Sequence, residues 1–347
     1  MEEEKKLYPF RLCSIEDAYS WGSEEFHIAD LGYRDSIVRD GWLAGNALSE
    51  VIETYLDRLV GDNVFEWYGS QFPFQVKLLK VRGRMPLRVS PADELARQRY
   101  DALGKEKLWY VARAGREARL LLGFRVDTEA SQFYNACTEG EPELFLNSVP
   151  LKAGQYYHIP AGVPHCIWGD ADIVETSESS AMDFCLSGWG NEVSDEEFDP
   201  ALGLVEALDF LEYSKLPSEK LLGFSMERGE DGPGNVVRML HLPQFTSRLI
   251  TLGDALKISS GNADSCVSYT CLRGEFSIQL PQDGDEKIDY LVVKAMETVL
   301  VPAELEEFYL VPRASGTLLL ETLVERRPET DSYVAADAGP LPDEEED

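Results

Sequence analysis

The sequence predicts a mainly β protein built from two related β units with helical insertions. Short β-prone runs punctuated by Gly, Pro and charged residues recur through the chain, and after about residue 225 they follow one another almost without interruption. Such spacing suits a sandwich or a small barrel. Clean helical periodicity is confined to a few segments. The segment Gly154-Gln-Tyr-Tyr-His-Ile-Pro160-Ala-Gly162-Val-Pro-His165 also has a counterpart 142 residues later, Met296-Glu-Thr-Val-Leu-Val-Pro302-Ala-Glu304-Leu-Glu-Glu307. The Pro-Ala step keeps its place, while Met296, Glu304 and Glu307 replace the two glycines and the histidine. Two related units, the second lacking a site, account for this repeat.

Taken in order, the first helix is expected over 48–60, where Leu48, Val51, Ile52, Tyr55, Leu56, Leu59 and Val60 recur at steps of three and four and Asn46 stands ready to cap. A second starts at Ser90-Pro91-Ala92-Asp93 and runs toward Tyr100, with Ser90 as cap, Pro91 at the first helical position and Asp93 completing a capping-box-like pattern. A third begins at Asp199-Pro200 and carries Leu204, Val205, Leu208 and Leu211 on one face; 127–137 and 143–147 are weaker candidates. Strands are expected over 76–81, 108–112, 119–124, 156–159, 173–176 and 184–186 in the first unit. In the second they fall over 236–240, 247–252, 267–272, 275–280, 290–293, 298–301, 308–311 and 317–324.

The 347 residues suffice for about two domains. With 32 Lys+Arg against 63 Asp+Glu the formal charge is −31, a field that repels nucleic-acid backbones and anionic lipid surfaces. Nucleic acid and membrane are therefore not expected partners. The start lacks the apolar core of a secretory signal, and no run approaches the roughly 18 apolar residues of a spanning helix. A cytoplasmic protein is expected. Six cysteines without a CxxC pair read as reduced thiols.

The first copy of the repeat fits G-x5-P-x-G-x2-H and resembles the second motif of the cupin barrels, in which a turn delivers a histidine to the barrel interior. Around it stand Gly41 to Gly45 as Gly-x-Leu-Ala-Gly, Phe72-Pro-Phe-Gln-Val-Lys-Leu-Leu79, Met85-Pro-Leu-Arg88-Val-Ser90-Pro91, Gly104-Lys105-Glu-Lys107-Leu-Trp-Tyr110 and Ile173-Val-Glu175. In this order and spacing the chain resembles the type I mannose-6-phosphate isomerases from about Tyr8 to about Val324. The resemblance implies a bicupin: two jelly-roll barrels, the first over 1–195 with helical insertions at about 46–60, 91–103 and 127–148. A helical linker over 196–225, a second cupin without a site over 226–326 and an acidic tail over 327–347 would follow.

The resemblance also implies what is missing. The family binds zinc through a Gln and a His of a Q-V-H-P segment, a Glu of a G-K-T-E segment and a later His, and uses it in aldose–ketose interconversion of a sugar phosphate. The matching positions here are Arg88, Ser90, Lys107 and His165, so His165 is the only retained ligand position. A family arginine further on falls in the segment Asp183-Phe184-Cys185-Leu-Ser187 and is also gone. Two cations where a dication should sit oppose a metal, and no cofactor is expected. With Lys105 they could instead bind an anionic carbohydrate, so Arg88, Lys105, Lys107 and His165 are the candidate site. Alternatively Arg88 and Lys107 pair internally with Glu94, Glu106 or Glu178, and His165 is a satisfied barrel histidine. His158 is expected at the surface or in the core. The expected function is a degenerate or diverged isomerase relative that binds a sugar phosphate or another anionic carbohydrate. The alternative is an active, zinc- or other metal-dependent isomerase interconverting mannose 6-phosphate and fructose 6-phosphate, rebuilt around His165 with Glu106, Glu175 or Glu178.

Overall fold

The computed structural model describes residues 5–190, 200–225, 235–261, 263–281 and 290–325. The expected tail over 327–347 lies outside the described residues, as does Asp199.

The first unit is organised by one long strand, His165–Glu178, rich in Ile, Val and Thr and buried along most of its length. Over 168–178 it pairs antiparallel with Phe74–Arg84, and over 171–177 its other edge takes Lys107–Ala114. Near its start it pairs instead with Arg119–Phe124 and, at His165, with Leu87–Val89. Gly169 stands at this change of partner with φ +91°, where a Cβ would meet Ala118 Cα at 3.1 Å. Gln155–Ile159 flanks Lys107–Ala114. The sheet grows beyond Phe74–Arg84 through a hairpin, Ile15–Tyr19 and Gly22–Ile28, that the sequence did not suggest. Its runs Ile-Glu-Asp-Ala-Tyr and Gly-Ser-Glu-Glu-Phe-His-Ile are acidic and poor in β-formers, so long-range pairing overrides propensity.

The second unit is two antiparallel sheets around one core. Five strands run in the order Asn235–His241, Thr246–Leu252, Thr317–Leu323, Val267–Arg273 and Thr298–Val301; four run Leu256–Ser259, Glu307–Pro312, Glu275–Gln279 and Tyr290–Lys294. Tyr269, Leu319 and Val299 of the first sheet meet Phe276, Phe308 and Leu310 of the second. The fold is therefore mainly β as expected. Closed barrels are not what the ladders form: among the described residues the hydrogen-bonded paths of both units remain open. The repeat is visible in the backbone, since Gln155–Ile159 and Thr298–Val301 both run into the Pro-Ala turn, and His165 and Glu307 each open the next strand.

Several helical expectations change. The segment over 48–60 is broken into Leu48–Tyr55 and Asp57–Val60, followed by Asp62–Tyr68, because Leu56 takes φ +48° and interrupts the ladder. Asn46 does not cap: its amide donates to Leu43 O, and the Glu50 carboxylate accepts the Ala47 N–H at 3.0 Å instead. Nor does Ser90 cap the second helix, Asp93–Tyr100, since its hydroxyl donates to Asp183 at 2.9 Å. In Pro200–Leu208 the buried face holds Leu208 and partly Leu204, but Val205 is exposed. The weaker candidates appear as Ala130–Glu139 and a short 3-10 turn, Pro142–Phe145.

A second apolar core joins the units: Leu7, Phe10, Leu48, Ile52, Phe72 and Val174 pack with Phe245, Leu249, Leu300 and Leu320. No disulfide links the six cysteines. Among the described residues no helix is long and apolar enough to cross a membrane.

Candidate functional site

The ladder register sets the site. Lys77 lies opposite Glu175, and Glu175 lies opposite Trp109, so these three side chains share one row across three strands. Two residues along, on the same face, lie Gln75, Ser177 and Lys107. Two residues the other way lie Leu79, Ile173 and Val111, all fully buried. A charged layer therefore rests on an apolar floor. His165 enters from the start of its strand and Arg88 from the short strand paired with it.

These groups form two neighbouring ionic clusters, one around Asp183 and one around Glu24 and Glu175. Lys107 Nζ lies 2.9 Å from His165 Nε2 and also contacts Asp183. Lys105 Nζ takes the other oxygen of Asp183 at 2.9 Å. Lys77 Nζ is 3.1 Å from both Glu24 and Glu175, and Arg88 Nη1 is 2.7 Å from the second oxygen of Glu24. Trp109 Nε1 donates to Glu175 Oε2 at 2.7 Å. Lys107 is 2% exposed and Lys77 3%, whereas the Arg88 side chain keeps 16% and that of Asp183 13%, so Arg88 is the most accessible of the cations.

Burial and charge act against each other here. Burial opposes the charge of Glu24, but Lys77 and Arg88 hold it far below the usual carboxylate range. Asp183 is likewise driven well below its ordinary value, by Lys105 and Lys107 against the cost of burial. Lys77 is buried yet raised, because Glu175 and Glu24 face it. Lys105 ends low, at about 8, since burial and the neighbouring Lys77 and Lys107 outweigh Asp183. His165 falls to about 3 through burial and Lys107. Its Nδ1 lies 2.8 Å from Val163 O and so carries the proton, leaving the Nε2 lone pair to accept from Lys107.

That arrangement does not fit zinc. The one imidazole lone pair a metal would use is already taken by an ammonium. A dication about 4 Å from a single ammonium is opposed by roughly 8 kcal/mol even at an effective dielectric of about 20. Among the described residues no group of three or more His, Cys, Asp or Glu is placed to hold a metal ion.

Of the residues singled out in the sequence, Arg88, Lys105, Lys107 and His165 all come together. The acids expected to pair internally with Arg88 and Lys107 are not the ones that do. Glu94 is exposed, Glu106 bonds His158 Nε2 at 2.6 Å and the Ala161 N–H, and Glu178 accepts the Glu106 N–H. Glu24 and Asp183 take those places, because strand alternation turns Glu106 to the face opposite Lys107. Glu106 and Glu178 are thereby occupied away from His165, and of the three acids considered for a rebuilt metal site Glu175 alone joins these clusters. Lys77 carried a signal that was passed over: a lone lysine in the apolar run 72–79 implies a buried partner. Asp183 sits in a loop before Phe184–Ser187, and Glu24 in the unforeseen hairpin.

No family model matches the chain. It is 23% identical over 258 residues to a mannose-6-phosphate isomerase of Streptococcus mutans, covering 74% of this chain and 78% of the relative. To the mannose-6-phosphate isomerase ManA of Bacillus subtilis it is 25% identical over 183 residues, 52% of this chain and 56% of the relative. Its fold superposes on a crystal structure of the mannose 6-phosphate isomerase from Bacillus subtilis with a TM-score of 0.76 at 16% identity, covering 91% and 99% of the two chains. A variant of phosphomannose isomerase from Salmonella typhimurium gives 0.69 at 15% identity, over 92% and 100%. The chain is thus homologous, at low identity, to mannose-6-phosphate isomerases and has their fold.

Proposed function

We propose that this protein is a diverged, non-catalytic relative of the mannose-6-phosphate isomerases that keeps their two-unit cupin scaffold and binds an anionic carbohydrate, a sugar phosphate first among them. The observation that carries the proposal is the 2.9 Å contact between Lys107 Nζ and His165 Nε2. Lys107, at a position that the resemblance equates with a zinc ligand, presents an ammonium, which cannot act as an open Lewis acid toward a sugar carbonyl. Among the described residues the two clusters set Lys77, Arg88, Lys105 and Lys107 against Glu24, Glu175 and Asp183, four cations to three carboxylates. One positive charge is left over, with Lys105 and Lys107 on the single Asp183, and it supports capture of an anion together with Arg88, the most exposed of the four cations. His165 orients Lys107.

Two measurements on the full chain test this. Metal analysis of protein purified without added metal is expected to give far less than one zinc per chain. A coupled assay on mannose 6-phosphate with zinc, manganese or cobalt is expected to stay at background, while calorimetry detects binding of the same sugar. Stoichiometric zinc, or turnover above background, would establish the metal-dependent isomerase instead.

A further inference from the structure

The hairpin that brings Glu24 into its ionic cluster also carries two aromatic rings at its tip. Trp21 and Ser20 form the two-residue turn between Tyr19 and Gly22. Trp21 is 5% exposed and packs into the first unit's core, and the Arg88 guanidinium lies 5.6 Å from its ring centroid. Tyr19 stacks on Trp21 with centroids 5.1 Å apart and planes only 7° from parallel, yet it remains 41% exposed. Its hydroxyl stands 3.5 Å from Asp17 Oδ2. Trp21, against which Tyr19 stacks and over which the Arg88 guanidinium lies, links the exposed ring to that cation.

We propose that Tyr19 is a stacking platform for the closed ring of an anionic hexose whose charged group engages Arg88. This rests on the anionic-carbohydrate reading above and deepens it by naming how the neutral part of the ligand is recognised. The physical case has three parts. An exposed tyrosine face offers an apolar, π-rich surface to the C–H face of a pyranose. Trp21 holds that ring in one orientation before the ligand arrives, so little ordering is left to be done on binding. Asp17, beside the Tyr19 hydroxyl and partly exposed, sets a carboxylate next to it that can accept from sugar hydroxyls. A ligand with charge but no ring would use Arg88 and leave Tyr19 bare.

Calorimetry on the full chain compares mannose 6-phosphate with inorganic phosphate, using the parent, Tyr19→Phe and Tyr19→Ala. The platform predicts that Tyr19→Ala weakens mannose 6-phosphate about tenfold while phosphate affinity stays unchanged, and that Tyr19→Phe, which keeps the ring, stays within about twofold of the parent. Circular dichroism of both variants verifies that the hairpin is intact. Unchanged mannose 6-phosphate affinity in Tyr19→Ala, or an equal loss for both ligands, overturns the platform and leaves the anionic-sugar reading standing. Failure of the parent to bind either ligand removes both.

Discussion

At the residue scale, Lys107 decides the chemistry. Its ammonium bridges His165 and Asp183, so truncating it leaves the His165 Nε2 lone pair buried without its donor and Asp183 with Lys105 and Ser90 alone. Lys107→Met is expected to destabilise the protein by about 2–3 kcal/mol in chemical denaturation, the usual result of losing charged hydrogen bonds in a buried site. Lys107→Glu should instead create a donor set with His165 and Asp183. Zinc is expected to raise the melting temperature of that variant and to leave the parent unchanged; an equal response in both would show that the ammonium does not block the metal. Lys105 gives a pH dependence. Its folded-state value, about 8, is depressed, so its positive charge fades as pH rises through that point. Affinity for mannose 6-phosphate should therefore fall between pH 7 and 9, and Lys105→Met should flatten that fall. Glu178 behaves oppositely. It is 1% exposed, and burial, with Asp93 and Glu106 nearby, raises it well above the ordinary carboxyl value. Its contribution to stability is present in full below the unfolded value, about 4.3, and is lost as pH rises toward the folded one. Glu178→Gln, neutral at every pH, should exceed the parent by on the order of 1 kcal/mol at pH 8 and lose that advantage toward pH 4.

At the element scale, the first hairpin matters most, because it delivers Glu24, Trp21 and Tyr19 together. Its attachment depends on Gly22, which has φ +145° and whose added Cβ would fall 1.9 Å from Lys80 O. Gly22→Ala must push the hairpin off its neighbouring strand and draw Glu24 away from Lys77 and Arg88. A loss on the order of 3 kcal/mol is expected by urea denaturation, together with weakened sugar-phosphate binding. The hairpin also marks where element reading from sequence gave out. The strands with alternating or continuous Val, Ile and Leu, such as Phe74–Arg84 and Thr317–Leu323, were legible because their burial is written in their own residues. Ile15–Tyr19 and Gly22–Ile28 are strands because Phe74–Arg84 offers an edge, which no local pattern records. The broken helix over 48–68 is similar, since backbone contacts across to the second unit, such as Cys266 N–H to Val60 O and Ala303 N–H to Leu59 O, hold it in short pieces.

At the scale of the whole molecule, those contacts and the shared apolar core tie the two units together. Phe10 is fully buried there and its backbone pairs with Leu300 of the second unit in both directions. Phe10→Ala should cost about 3–5 kcal/mol and shift the unfolding of the whole chain. All six tryptophans, at 21, 42, 67, 109, 168 and 189, belong to the first unit, so fluorescence follows that unit while far-UV circular dichroism follows both. Coincident denaturation midpoints by the two probes are expected; separated midpoints would show that the units unfold independently. By itself the sequence determined the β class, the repeat, the likeness to the isomerases and which basic residues stand in the motifs that carry that likeness, because hydrophobic period and short motifs are local properties. Only the tertiary structure decided that Glu24 and Asp183 pair with those cations, that Glu106 turns away, and that Tyr19 stacks on the Trp21 ring over which Arg88 lies. Ion pairing depends on the register of strands far apart in the chain, and a shift of a single residue sends a carboxylate to the opposite face of the sheet.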